Sequence, residues 1–136
     1  MNSITVQARL DSLDTVAVFL NSELARFHCP EESLLEIQLA VEEIFVNISS
    51  YAYDPKEGKA EIRCDVMEDP LRVEIQILDS GKPFDPLARE KADTSEEALI
   101  QREGGLGILL VCHTMDSVRY SYENGKNILT ILKSLL

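Results

Sequence analysis

The sequence predicts a single domain of mixed helix and strand, α/β or α+β, and three observations point there. The chain has 136 residues, 45% of them hydrophobic, which is enough for one real core and too short for two domains. Segments with the two-residue period of strands alternate with segments of the 3.6-residue period of helices. Two strand-like segments, 60–66 and 71–77, are separated only by the short turn Glu68-Asp69-Pro70, so they are expected to pair antiparallel.

In order along the chain, Ile4, Val6, Ala8 and Leu10 alternate with Thr5, Gln7 and Arg9 as a half-buried strand. Asp11 or Ser12 then caps a helix with the apolar stripe Leu13, Val16, Ala17, Leu20, Leu24 and Phe27. The next helix, 33–53, organises the rest. Leu34, Ile37, Val41, Ile44, Ile48 and Ala52 form its stripe, and Pro30, Glu31 and Glu32 supply the N-terminal signals. Asp54, Pro55 and Gly58 end the helical pattern. Ala60, Ile62, Cys64 and Val66 then face inward on one strand, and Leu71, Val73, Ile75 and Ile77 on the next. The stretch from Asp85 to Glu103 is polar and charged, with a weak helical pattern at 95–102, and reads as a mobile lid. Gly104-Gly105-Leu106-Gly107 opens an apolar helix running from Ile108 to Met115. The chain closes on a hairpin: Val118, Tyr120 and Tyr122 alternate, Asn124-Gly125 is a strong turn signal, and Ile128, Leu129, Ile131 and Leu132 make the last strand.

Charge and cysteine usage narrow the function. A net charge of −11 disfavours nucleic acid and anionic membranes, because phosphates would meet a repelling field. A nucleotide could still bind with local help from a cation or a helix N-terminus. Cys29, Cys64 and Cys112 are odd in number and widely spaced, which fits thiols in a reducing cytosol. His28 and His113 lack ligand-spaced companions, so a zinc site is not expected. The amino-terminal segment has no basic stretch leading into an apolar run, and no segment approaches transmembrane length, so a soluble intracellular protein is expected.

Three places carry candidate chemistry. On the central helix, Glu43 and Asn47 stack one turn apart on the flank of the stripe, where a carboxylate can act as general base and an amide oxygen as a ligand for a divalent cation. The same pair also suits an ordinary amphipathic helix. Asp79 continues the inward phase of its strand, so it must either receive hydrogen bonds, for instance from a purine amine, or cap the Ser80-Gly81 turn. Glycines opening a helix leave backbone N–H groups and the helix dipole facing an anion. They equally suit a tight turn. The motif is neither a dinucleotide fingerprint, since Leu110 replaces the third glycine, nor a P-loop, since Pro83 and Asn127 follow the two Gly-Lys pairs.

Each feature is weak singly, but their order is specific: E-x-x-x-N on a helix, D-x-G after a strand, a polar lid, and G-x-G opening a helix. This succession resembles the GHKL (Bergerat-fold) ATPases over almost the whole chain. The segments LAVEEIFVNISSYAY, LDSGKPFDP and GGLGILLVCHTMDSVRYSYENGKNILTILK resemble its anti-sigma factor serine kinases in particular. The sequence shows no dimerisation helix bundle, phosphoacceptor His or second domain, which disfavours a histidine kinase or gyrase-type member. The resemblance implies an α+β two-layer sandwich, with a mixed, mostly antiparallel sheet covered on one face by about three helices. It implies one ATP-binding domain spanning 1–136 with a lid at about 82–104.

By the same match, Glu43 would be the general base, Asn47 would hold Mg²⁺ against the phosphates of ATP, and Asp79 would receive the adenine amine. Gly81 would let the adenine approach, with Phe84 also on the cofactor-binding side. Gly104, Gly105, Leu106 and Gly107 would hold the phosphates. The implied activity is that of a bacterial, cytoplasmic, homodimeric serine/threonine kinase in a partner-switching system. It would bind a sigma factor and phosphorylate an anti-sigma factor antagonist. The alternative is a non-catalytic ATP- or ADP-binding module that sequesters a protein partner. The chain departs from the family pattern at Tyr51, where a His often stands four residues after the Asn, and at Glu103, where a basic residue is usual. Arg102 is the candidate substitute for that cation.

Overall fold

Alternation and helical periodicity produce the expected layers in the computed structural model, which describes residues 1–53, 56–88 and 105–136. The elements are β1 (Asn2–Gln7), a 3₁₀ turn (Leu10–Ser12), α1 (Leu13–Leu24) and α2 (Glu31–Asn47), which continues as a π-helical turn (Ile48–Ala52). There follow β2 (Lys59–Met67), β3 (Arg72–Asp79), α3 (Gly105–Thr114), β4 (Ser117–Glu123) and β5 (Lys126–Ser134). The sheet order is β1-β2-β3-β5-β4.

All four strand pairings are antiparallel, so the described sheet is not mixed. The reason is topological. The connection from β3 through α3 delivers β4 to the outer edge, and the tight hairpin then returns β5 into the space beside β3. That hairpin turns where Asn124 and Gly125 both take positive φ, 53° and 75°, the conformation that an Asn-Gly pair tolerates.

Across the ladders Ile62, Ile77 and Leu129 fall in one row, and Cys64, Ile75 and Ile131 in the next. These residues are buried, and together with Val16, Leu20 and Leu24 of α1, Ile37, Val41, Ile44 and Phe45 of α2 and Val111 of α3 they make the core. The helices therefore cover one face of an α+β sandwich. α2 is in the middle of that layer, and its buried surface is wider than a single stripe: Ala40 and Phe45 are buried beside the expected Ile37, Val41 and Ile44.

Several local expectations are corrected. The central helix starts at Glu31, with Pro30 as N-cap, and Tyr53 lies beyond its end. Leu10 is 58% exposed rather than inward, because β1 ends at Gln7 and the chain turns into the 3₁₀ segment. Ala17 is exposed on α1. Asp54 and Pro55 and the 89–104 part of the expected lid, with Arg102, Glu103, Gly104 and the 95–102 pattern, lie outside the described residues. No helix among the described residues is long and apolar enough to cross a membrane.

Candidate nucleotide site

One flank of α2 carries Glu36, Ala40, Glu43 and Asn47, and α3 lies along it. At one end Glu36 pairs with Lys133 at 3.2 Å, and Lys133 donates to the Thr114 carbonyl at the C-terminus of α3. At the other end the Glu43 carboxylate lies against Gly107, so closely that a Cβ there would be 2.0 Å from its Cδ and Oε1. The interval from Glu36 to Glu43 equals that from Thr114 back to Gly107, about 10 Å of helix in each case. α2 and α3 thus run antiparallel, with the small Ala40 between the two anchor points. The first turn of α3, Gly105-Leu106-Gly107, is thereby brought to Glu43.

Glu43 is half-buried, and burial pushes its carboxyl above the ordinary range; a hydrogen bond from Asn47 works the other way, and the neighbouring Glu42 charge adds to the rise. An amide carries both a donor and an acceptor, so Asn47 can bond Glu43 through its N–H and offer its carbonyl oxygen elsewhere. No group of three or more His, Cys, Asp or Glu among the described residues is placed to hold a metal ion. A cation at Asn47 would therefore have to arrive with other ligands, as Mg²⁺ does with phosphates and water.

The far end of α2 meets the end of β3. Its π-helical turn presents the Ala52 carbonyl to Lys82 N at 3.0 Å, and a Cβ on Gly81 would be 2.2 Å from that carbonyl oxygen. Gly81 is required by this approach of two backbones. Tyr53 reaches across as well, its hydroxyl accepting from Ser80 N at 2.7 Å and donating to the Lys59 carbonyl at 2.6 Å. Asp79 is 6% exposed. Its Oδ1 accepts from Gly81 N at 2.9 Å, the turn-capping bond, and from Asn127 Nδ2 at 3.0 Å. Both bonds fall on one oxygen, and Oδ2 takes neither. Phe84 is 52% exposed, at the root of the segment leading towards residue 88.

From Glu43 to Ala52 the axis of α2 advances about 13 Å. Along it come, in order, the glycines of α3 at Glu43, then Asn47, then the Asp79 turn at Ala52. Two residues at this site were passed over in the sequence. Asn127 was read only as following Gly-Lys, and Tyr120 only as a strand residue. Asn127 nevertheless lies in phase with Leu129 and Ile131, so an inward polar side chain facing Asp79 across the β3–β5 ladder was there to be noticed.

A sequence profile described as "Histidine kinase-like ATPase domain" matches residues 6–133. The chain belongs to this family. Among relatives of the histidine kinase-like ATPase domain family, serine-protein kinase RsbW of Oceanobacillus iheyensis is 31% identical over 126 residues, 88% of this chain and 78% of the relative. Serine-protein kinase RsbW of Listeria monocytogenes serovar 1/2a is 30% identical over 102 residues, 71% of this chain, and the match spans 64% of that relative's length. Among solved structures, the RsbU and RsbW domains of Rv1364c from Mycobacterium tuberculosis superpose with a TM-score of 0.66 at 16% identity, covering 99% of this chain and 33% of that one. The histidine kinase domain of the Erythrobacter litoralis EL346 blue-light activated kinase gives 0.59 at 18% identity, covering 92% and 60%. These superpositions show the same fold.

Proposed function

We propose that the chain is an ATP-dependent protein serine kinase of the anti-sigma factor type, which transfers the γ-phosphoryl of ATP to a serine of an anti-sigma factor antagonist. The observation that carries the reading is the seat of Glu43 against Gly107 in the first turn of α3, with Asn47 bonded to it one turn further on. The names of the RsbW relatives support the same activity.

In this reading Asp79 Oδ2 accepts from the adenine amine, and Gly81 leaves room for the ring beside the Asp79 turn. The amides opening α3 would hold the phosphates, and Gly104, Gly105, Leu106 and Gly107 remain the proposed phosphate-side residues. Asn47 would hold Mg²⁺, together with phosphate oxygens and water, and the cation would supply charge neutralisation on the transferring group. Glu43 accepts or orients the proton of the serine hydroxyl as its oxygen bonds to phosphorus and the bond to the ADP oxygen breaks. A carboxyl raised by burial is a better base than an exposed one. A sigma factor as second partner, a homodimer and a bacterial cytoplasm belong to the same proposal.

The test is incubation with Mg-ATP and the cognate antagonist. Native protein should yield phosphoserine, and Glu43→Gln should lower the rate by about 10² to 10⁴-fold. Mg-ATP binding without phosphoserine from native protein would remove the kinase reading and leave the sequestering module.

A further inference from the structure

Asn127 has no part in the roles above, yet both ends of its amide are in use. It is 7% exposed and lies directly across the ladder from Asp79. Nδ2 donates to Asp79 Oδ1 at 3.0 Å and to the Lys82 carbonyl at 2.9 Å, with the Gly81 carbonyl at 3.5 Å. Oδ1 accepts from Phe84 N at 3.1 Å and from the Tyr120 hydroxyl. Two donors on Oδ1 allow the amide only one orientation, so an N–H must face Asp79. Burial pushes the Tyr120 hydroxyl up from its ordinary value, which keeps it a donor.

We propose that Asn127 is a positioning residue for base selection: by placing an N–H on Asp79 Oδ1, beside that of Gly81, it leaves Oδ2 as the acceptor that faces a base, suited to the exocyclic amine of adenine and not to the C6 carbonyl of guanine. The inference rests on Asp79 being the adenine acceptor. A guanine carbonyl would meet the carboxylate lone pair to lone pair, whereas the adenine amine donates to it. The two bonds from Asn127 to the Lys82 and Phe84 backbone hold the turn that carries Asp79 in the same register. An Asp at position 127 would put two carboxylates within hydrogen-bond distance. Like charges so placed share a proton. Shared in this way the proton lies between Oδ1 and residue 127 and halves the charge of the pair, so Oδ2 becomes a weaker acceptor for the adenine amine and repels a guanine carbonyl less.

The experiment measures Kd for Mg-ATP and Mg-GTP by calorimetry on the native chain, Asn127→Asp, Tyr120→Phe and Asp79→Asn. The native chain should favour ATP, Asn127→Asp should lower the ATP:GTP preference by about tenfold or more, and Tyr120→Phe by roughly threefold, with native-like melting of the ligand-free protein. If Asn127→Asp fails to fold, Tyr120→Phe decides. A native preference in folded variants, alongside ATP binding that Asp79→Asn abolishes, overturns the inference alone. Absence of ATP binding by the native chain overturns both the inference and the reading of Asp79 beneath it.

Discussion

If the chain is the proposed kinase, Gly107→Ala should separate catalysis from folding, and its effect follows from one contact. The added Cβ would lie 2.0 Å from Glu43 Cδ and Oε1, where ordinary contact begins near 3.4 Å, so the carboxylate must recede by about 1.4 Å, the difference of the two. The obstructing atoms are the far end of a flexible side chain, so the fold can yield without moving backbone. Alanine gains up to about 1 kcal/mol over glycine in a helix, while the lost Glu43–Asn47 bond costs about 0.5–1.5 kcal/mol. The two nearly offset, and the melting temperature should stay within roughly 4 °C. A misplacement of about 1 Å at a reacting group costs on the order of 10²-fold, equivalent to about 2.7 kcal/mol of barrier. Phosphoserine formation under saturating Mg-ATP should therefore fall about 100-fold while the protein still melts as native. A folded Gly107→Ala variant with the native rate would refute the reasoning, since the base would not be where the contact puts it.

Three further outcomes are expected. Mg-ATP at about 100-fold above Kd adds about 2.7 kcal/mol, or roughly 10 °C of melting temperature for this chain length, and Asp79→Asn should abolish most of that shift; an equal shift in the variant would exclude Asp79 from the site. Because the folded-state pKa of Glu43 is raised, its stabilising share is complete below its ordinary value of 4.5 and is lost as pH rises through the raised value. Glu43→Gln should thus melt higher than native at neutral pH, with the gap closing on acidification below 4.5, and a gap that widened instead would contradict the burial cause. Phe45 is 0% exposed under the sheet, so Phe45→Ala should cost about 3–5 kcal/mol and lower the melting temperature by roughly 10–17 °C; a loss under about 1 kcal/mol would mean that α2 is not packed as described.

The strands and the inward phase of Asp79 were legible because a half-buried sheet writes its two-residue period directly into the chain. The pairing order was not, since β5 reaches β3 only through a hairpin, and nothing local in residues 126–134 names its second neighbour. Phe45 was missed for a related reason: a stripe drawn as one line omits the width that a helix needs when it packs between two others and a sheet. At the candidate site, Glu43, Asn47 and Asp79 were recognisable singly, yet their relation rests on Ala40, Ala52, Gly81 and Gly107, small residues whose importance lies in what they let approach. Asn127 carried a readable signal in its phase, but its five partners come from two stretches, 79–84 and β4, which only the folded chain brings together. The turn-capping bond of Asp79, one of its two sequence readings, is present on Oδ1.

The central claim is that a nucleotide lies along the flank of α2, base at the Asp79 turn and phosphates at the start of α3. A crystal structure with Mg²⁺ and a non-hydrolysable ATP analogue tests it most directly. The account expects the adenine amine within hydrogen-bond distance of Asp79 and the terminal phosphate beside Gly105 and Gly107, with Glu43 facing it. Nucleotide bound on the opposite face of the sheet, or bound with its base at Glu43, would contradict it.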